Sequence, residues 1–332
     1  MSLIALDAMG GDFAPRAPVE AALRAVRNEG MQVALVGRPE ELEAELARQG
    51  SPTEGLSLVP AAEKVEISEA PTILLKEKKH TSIGVAFDQL AAGKAAAVVG
   101  AGHTGAMMVA GKHKLGALKG VERPAIATPL PLRRGTCLLL DSGANVDCRP
   151  AYLVQFARMG VQYARLINGL DQPRVGLLNI GTEPGKGNDL TRQAYPLLKA
   201  ALPGFVGNLE PRDVFRGKAD VVVCDGFVGN LVLKTAETVG AQMRLLVRDS
   251  TARSPMARLG AWLLQGVQGE LLRRTDHREI GGSLILGVNG VAVVAHGASN
   301  ARSLINAMRL ARDCAEGGLV KALAAEFDSK TP

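Results

Sequence analysis

Aromatic residues make up only 3% of this 332-residue chain, and tryptophan occurs once, at 262. That scarcity excludes a stacking platform for single-stranded nucleic acid, which needs successive aromatic faces. A net charge of +6 therefore points to other anionic partners: phosphate, an anionic lipid surface or an acidic protein, with no nucleic acid. The four cysteines, at 137, 148, 224 and 314, form no Cys-x-x-Cys pair, the pattern of a reduced, intracellular protein without a structural metal. No apolar stretch reaches the ~18 residues of a membrane span. The first seven residues lack a basic n-region and read as a first strand, not a signal peptide. There is no Gly-x-Ser-x-Gly elbow, and Cys224 reads as inert core. A covalent acyl-enzyme is not expected.

Glycine, by contrast, is plentiful: 38 residues, above the average of about 7%. Many close short apolar runs. Residues 3–6 run into Asp7-Ala-Met-Gly-Gly-Asp12, and 95–99 into Gly100-Ala-Gly-His-Thr-Gly105. Residues 137–140 run into Asp141-Ser-Gly-Ala-Asn-Val-Asp147, and 175–178 into Asn179-Ile-Gly-Thr-Glu-Pro-Gly-Lys-Gly-Asn188. Residues 221–224 run into Asp225-Gly-Phe-Val-Gly-Asn230. Such runs fit strands buried on both faces. In sheets of that kind ligands bind outside the carboxyl ends of the strands. The five turns are therefore expected to converge on one crevice suited to a phosphate-like anion.

Between these runs, helical patterns at 17–28, 40–49, 82–94, 150–166, 189–202 and 231–239 alternate with strands, so an α/β protein of one domain, residues 1–332, is expected. Residues 124–134, with prolines at 124, 129 and 131, read as an edge strand or a crossover. Residues 240–278 hold seven arginines and three acids, most of the net charge. Ser254-Pro255 opens a helix there over 254–272. Its apolar face, with Trp262, Leu263 and Leu264, reads as core packing or as a helix lying in a membrane interface.

Gly100-Ala-Gly-His-Thr-Gly105 matches a dinucleotide motif, but the acid expected about 20 residues on, at the end of the next strand, is missing. A simpler anion role remains for Gly102, His103, Thr104 and Gly105. Lys186, between two glycines and followed by Asn188, is not a Walker lysine but suits an anion. Asp225 reads as a cap or a proton acceptor, and Asn230 as an N-cap or an oxyanion donor. His296, at a strand end, is a candidate acid–base residue.

In order along the chain, these turns resemble the phosphate acyltransferase family of bacterial glycerolipid synthesis (PlsX-type). The carriers are Asp7-Ala-Met-Gly-Gly-Asp12, Asp141-x-Gly-Ala-Asn-Val-Asp147, Gln155-Phe-Ala-Arg-Met-Gly160, Gly176-Leu-Leu-Asn-Ile-Gly181, Lys186-Gly-Asn188, residues 221–230 with Leu233-Lys-Thr235, and His296-Gly297. His103 stands where the family usually has Asn, and His80 where an acid is more usual.

The resemblance implies a three-layer α/β/α sandwich like the isopropylmalate dehydrogenases and phosphate acetyltransferases. It implies a homodimer at the cytoplasmic membrane face that needs no cofactor or metal. The reaction would be acyl-carrier-protein thioester plus inorganic phosphate giving acyl phosphate, which passes to a membrane glycerol-3-phosphate acyltransferase. Lys186, Asn188, Asn230, His296 and Asp225 would be catalytic. Asp7, Gly10, Gly11, Asn145 and the 102–105 turn would hold phosphate or substrate. A dehydrogenase of the related fold and a non-catalytic membrane or carrier-protein adaptor are the alternatives. Nicotinamide binding would mark the first, and liposome flotation without catalysis the second.

Overall fold

Alternate residues of the first strand, β1 (Leu3–Asp7), enter different cores: Ile4 and Leu6 one, Ala5 another. The computed structural model describes residues 2–50, 54–133, 135–252, 254–264, 266 and 281–328. The other strands are β2 (Gln32–Gly37), β3 (Leu56–Pro60), β4 (Ala97–Ala101), β5 (Ala125–Pro131), β6 (Thr136–Leu140), β7 (Val175–Leu178), β8 (Phe205–Leu209), β9 (Val221–Val223), β10 (Ser283–Leu286) and β11 (Val291–Ala295). They form an 11-stranded sheet in the order β3-β2-β1-β4-β11-β10-β5-β6-β9-β7-β8.

Helices cover both faces, giving the expected three-layer α/β/α arrangement. They are α1 (Arg16–Glu29), α2 (Pro39–Gln49), α3 (Ile73–Lys76), α4 (Ser82–Ala91), α5 (Thr104–Ala110), α6 (Pro150–Leu166), α7 (Asp189–Ala201), α8 (Pro211–Phe215), α9 (Gly226–Ala252), α10 (Pro255–Leu263), α11 (Ala301–Glu316) and α12 (Leu319–Asp328). A single π-helical turn, Gly111–Leu115, continues α5.

The two faces are not equivalent. On one, a single apolar core runs through both halves of the sheet, from Leu23 of α1 to Phe156 of α6, Leu198 of α7 and Leu304 of α11. On the other the core is split. One part gathers Phe87 of α4 and Met107 of α5; the second gathers Leu139, Val214 and Val222, with Val232 and Leu233 of α9 packed on it. A cleft forms where the two parts stop.

The proline-rich segment is not an edge strand. β5 lies near the middle of the sheet, between β10 and β6. It pairs with β10 through Ala125–Ala127 and with β6 through Thr128–Pro131. Both Ile126 N–H and Leu132 N–H donate on the β6 side, the first to Asp141 Oδ1 just after that strand and the second to the Gly135 carbonyl just before it. Strand alternation then points positions 129 and 131 the other way, past the last paired residue of β10. A missing N–H costs no ladder bond there.

The step from β5 to β6 is antiparallel, whereas β1, β4 and β11 run parallel to one another, as do β6, β9 and β7. The two halves therefore run in opposite directions, and the five glycine-rich turns do not leave one edge of the sheet.

The helix expected to start at 231 begins at Gly226, so the 225–230 turn is its opening turn. Asp225 Oδ1 caps it, accepting from Val228 N–H at 2.8 Å. Asn230 is thus a helical residue, not an N-cap. α10 occupies the start of the expected 254–272 helix; Arg253, Val267, Leu271, Arg273, Arg274 and Arg278 lie outside the described residues. β8, α8 and α12 had no counterpart in the sequence reading.

Candidate active site

Three neighbouring cavities occupy the split face. The first is a crevice of about 310 Å³ over β5 and β10. β4 and β11 bring Thr104 and His296 to it from one side; the turn after β6 and helix α9 bring Ser142, Gly143, Asn230 and Lys234 from the other. Val294 of one core and Leu233 beside the other both line it, so it lies where the two cores part. Its bed is hydroxylated: Thr128 Oγ1 lies 2.6 Å from Ser142 Oγ and 2.7 Å from Ser283 Oγ.

His296 has its tautomer set by the backbone. Nδ1 accepts from Ala298 N–H at 3.1 Å, so a neutral ring carries its proton on Nε2. Lys234 pairs with Glu237 at 2.8 Å on the same helix face. Lys234, Thr128, Ser142 and Ser283 escaped the sequence reading. Lys234 stood inside a quoted motif, three residues before a Glu, and that helical spacing was the available signal.

The second cavity, about 70 Å³, brings together Asp7, Gly10, Gly11, Gly102 and His103, with Lys64, Glu66 and Ser82 completing its wall. Burial pushes the Asp7 carboxyl up to about 6, against smaller opposing effects of the Ser82 hydroxyl and the Met9 and Gly10 N–H groups. His103 is committed elsewhere. Nδ1 accepts from Ala106 N–H at 3.3 Å and caps α5, so Nε2–H donates to the Glu69 carbonyl at 3.0 Å. Gly105 leaves room for Pro71, which a Cβ would meet at 2.7 Å. Thr104 faces the crevice instead, so the 102–105 turn borders both cavities.

The third is an apolar groove of about 620 Å³ between β5, α8 and α9, lined by residues such as Leu130, Phe215, Leu231 and Ala236. Pro129, Leu233 and Glu237 line both groove and crevice, so the two adjoin.

Five expected site residues lie outside these cavities: Gly105, packed against Pro71, and four others. Asn145 serves as scaffold: its N–H and Nδ2 donate to Asp141 Oδ2 at 2.6 and 2.9 Å, and Nδ2 also reaches the Pro124 carbonyl. Asp225 is spent on capping α9. Lys186 and Asn188 are exposed on the loop after β7, and Asn188 Oδ1 caps α7 by accepting from Thr191 N–H at 2.9 Å. That loop leaves the sheet two strands beyond β6, which is why it misses the crevice. Cys224 is buried, and its thiol is pushed well above the ordinary range by that burial, as expected of core. On α10 and just after it, Met256, Trp262, Leu263 and Leu264 are all exposed. No helix among the described residues is long and apolar enough to cross a membrane.

A family model described as "Fatty acid synthesis protein" matches residues 2–322. The chain is 49% identical over 332 residues to a phosphate acyltransferase of Synechococcus sp. (strain JA-3-3Ab), covering 99% of this chain and 90% of that one. It is 45% identical to a phosphate acyltransferase of Desulfitobacterium hafniense (strain DSM 10664 / DCB-2), covering 98% and 97%. Among solved structures it is similar to a phosphotransacetylase from Streptococcus pyogenes, with a TM-score of 0.60 at 15% identity and coverage of 98% and 94%. It is also similar to a putative 4-hydroxythreonine-4-phosphate dehydrogenase from Salmonella typhimurium, with a TM-score of 0.55 at 14% identity and coverage of 94% and 99%. Likeness at such identity concerns the fold alone.

Proposed function

This chain belongs to the fatty acid synthesis protein family and is a phosphate acyltransferase; from that premise we propose that it moves the acyl group of an acyl-carrier-protein thioester onto inorganic phosphate, for phospholipid synthesis. The carrying observation is that a crevice holding hydroxyl, amide and imidazole groups adjoins an apolar groove, the two sharing Pro129, Leu233 and Glu237. An acyl thioester has the same division: a polar reacting carbon and an apolar tail. The thioester carbonyl lies in the crevice, the chain runs along α9, and phosphate enters through the small cavity.

Phosphate is itself the nucleophile, so the protein needs no Ser or Cys. Its oxygen attacks the thioester carbon, the C–S bond breaks, and the thiolate leaves with a proton. Positioning and stabilisation of the developing oxyanion supply the rate. Asn230 and the Thr104 hydroxyl donate to that oxyanion; the proton that phosphate gives up on attack goes to the leaving sulfur, and His296 Nε2–H hydrogen-bonds to that sulfur as charge develops on it. Neither Asp225 nor Asn145 keeps a part in this scheme.

The chain is further proposed to form a homodimer. Ile180, 80% exposed beside the Lys186 loop, supports a subunit contact there; through it Lys186 and Asn188 would act on a partner's crevice. Sedimentation at the mass of one chain would remove that role. The exposed Met256, Trp262, Leu263 and Leu264 support peripheral contact with the cytoplasmic membrane face, where the product would meet a glycerol-3-phosphate acyltransferase. Trp262→Glu should abolish flotation on anionic liposomes; unchanged flotation rejects that contact.

The central experiment measures thiol released from an acyl-carrier-protein thioester with and without phosphate. Phosphate-dependent release is expected, and its absence with pure protein refutes the reading. Asn230→Ala should lower kcat about 10²–10³-fold, the usual loss of one oxyanion donor.

A further inference from the structure

Asp7 ends β1 in the wall of the small cavity. The residue is 1% exposed, and Oδ1 accepts from Met9 N–H at 3.1 Å. Oδ2 is buried as deeply and makes no hydrogen bond of good geometry, although the Ser82 hydroxyl and the Gly10 N–H stand beside the carboxyl. A buried carboxylate oxygen without a donor is costly, and such an atom facing a cavity marks a place where a donor arrives. Gly10 leaves the space beside it unfilled: a Cβ there would stand 2.6 Å from Oδ2 and would collide with the Ala101 carbonyl oxygen.

The cavity's size and charge narrow the visitor. A volume of about 70 Å³ exceeds the ~10–15 Å³ that one water needs, and it is the smallest of the three cavities, room enough for a tetrahedral oxyanion. The other charged groups of the wall, Lys64 and Glu66, pair with each other at 3.1 Å, and His103 has both nitrogens engaged. A carboxylate here repels an anion unless that anion brings a proton of its own.

We propose, resting on the acyl transfer to phosphate above, that this cavity holds hydrogenphosphate and that Asp7 Oδ2 accepts the hydrogen bond of its P–OH group, so that the enzyme selects oxyanions retaining a hydroxyl. Phosphate and arsenate keep one hydroxyl in mildly basic solution; sulfate has none. Sulfate shares their tetrahedral shape and would offer Oδ2 only lone pairs, the repulsive element that makes a site selective. In mildly basic solution Asp7 is ionised, since burial raises it only to about 6, and it can act as acceptor.

The test uses the full chain at about pH 8, two units above the Asp7 value. Thioester cleavage is followed with phosphate or arsenate as acceptor and sulfate as competitor, and calorimetry reads the binding of each anion without turnover. Wild type should accept arsenate in place of phosphate and bind sulfate at least about 30-fold more weakly, the worth of one charge-assisted hydrogen bond. Asp7→Asn, whose amide can donate to either anion, should raise the phosphate KM about tenfold or more and bring sulfate within about threefold of phosphate. Sulfate as tight as phosphate in wild type overturns the proposal, whether or not the variant folds. A folded Asp7→Asn that keeps wild-type selectivity also overturns it. Either result leaves the acyltransfer reading standing if thiol release depends on phosphate; absence of that release refutes the acyltransfer reading instead.

Discussion

Asp7 and Asp141 stand at matching places, the carboxyl ends of β1 and β6, and each opens a glycine-containing turn. Both are essentially inaccessible to solvent, and burial raises both carboxyls. Their hydrogen bonding differs completely. Asp141 accepts five: Ile126, Gly143 and Ala144 N–H on Oδ1, and Asn145 N–H and Nδ2 on Oδ2. Asp7 keeps Oδ2 without a partner. The saturated carboxylate is a structural hub, joining β5, β6 and the turn that presents Ser142 and Gly143 to the crevice. The unsaturated one carries a cost in the folded state that its neighbours Ser82, Met9 and Gly10 offset only in part and that a visiting donor relieves further. Two aspartates alike in sequence context thus serve stability and function separately.

The sharpest way to break this contrast is to remove each carboxyl. Asp141→Ala would take the acceptor from four N–H groups, that of Ile126 buried, and from one bond of the Asn145 amide, and should cost about 4 kcal/mol in urea unfolding. A loss below about 1 kcal/mol would deny Asp141 its hub role. Asp7→Asn should act with the opposite sign on stability. The folded Asp7 value is about 6 against about 3.9 unfolded, so the native state binds more protons between those values. Its stabilising share is complete below about pH 4 and is lost as pH rises through about 6. At pH 8 the ionised group therefore destabilises the protein by about 2–3 kcal/mol. The Asn variant should be more stable there by up to that amount and should converge on wild type near pH 4. Paired denaturant melts at the two pH values check this; a variant less stable at pH 8 contradicts it. Asn145→Ala, which removes the Nδ2 bonds to Asp141 and Pro124, should cost about 1–2 kcal/mol. It should leave the phosphate KM unchanged, since Asn145 lies outside all three cavities. A phosphate-specific defect would return it to the site.

What the chain disclosed before folding follows the range of the interactions involved. The runs ending in Asp7, Gly100, Asp141 and Asp225 were legible because a doubly buried strand must be apolar and its exit must turn. Which turns meet was not, because the antiparallel β5–β6 step that reverses half the sheet depends on pairing between distant segments. The same pairing turns Pro129 and Pro131 away from any ladder bond, so a local rule placed β5 at an edge it does not occupy. Asn230 and His296 do meet in the crevice, although no local signal joins them across 66 residues. Lys186 looked equally anionic-loop-like, but β9 stands between its strand and β6. Thr128 and Ser283 stayed hidden because a hydroxyl on a strand is commonplace until its neighbour across the sheet is known.

The order of strands also bears on how the molecule is made. β6 to β9 come from one continuous stretch, Thr136 to Val223, whereas the half that begins with β1 is completed only by β10 and β11, residues 283–295. On the ribosome, the half of the sheet from β6 to β9 emerges whole while β4 still lacks β11. The first strand translated therefore belongs to the half of the sheet closed last. A nascent chain halted near residue 280 would present the open edge of β4, a strand of Ala, Val and Gly paired only with β1, as a template for another chain.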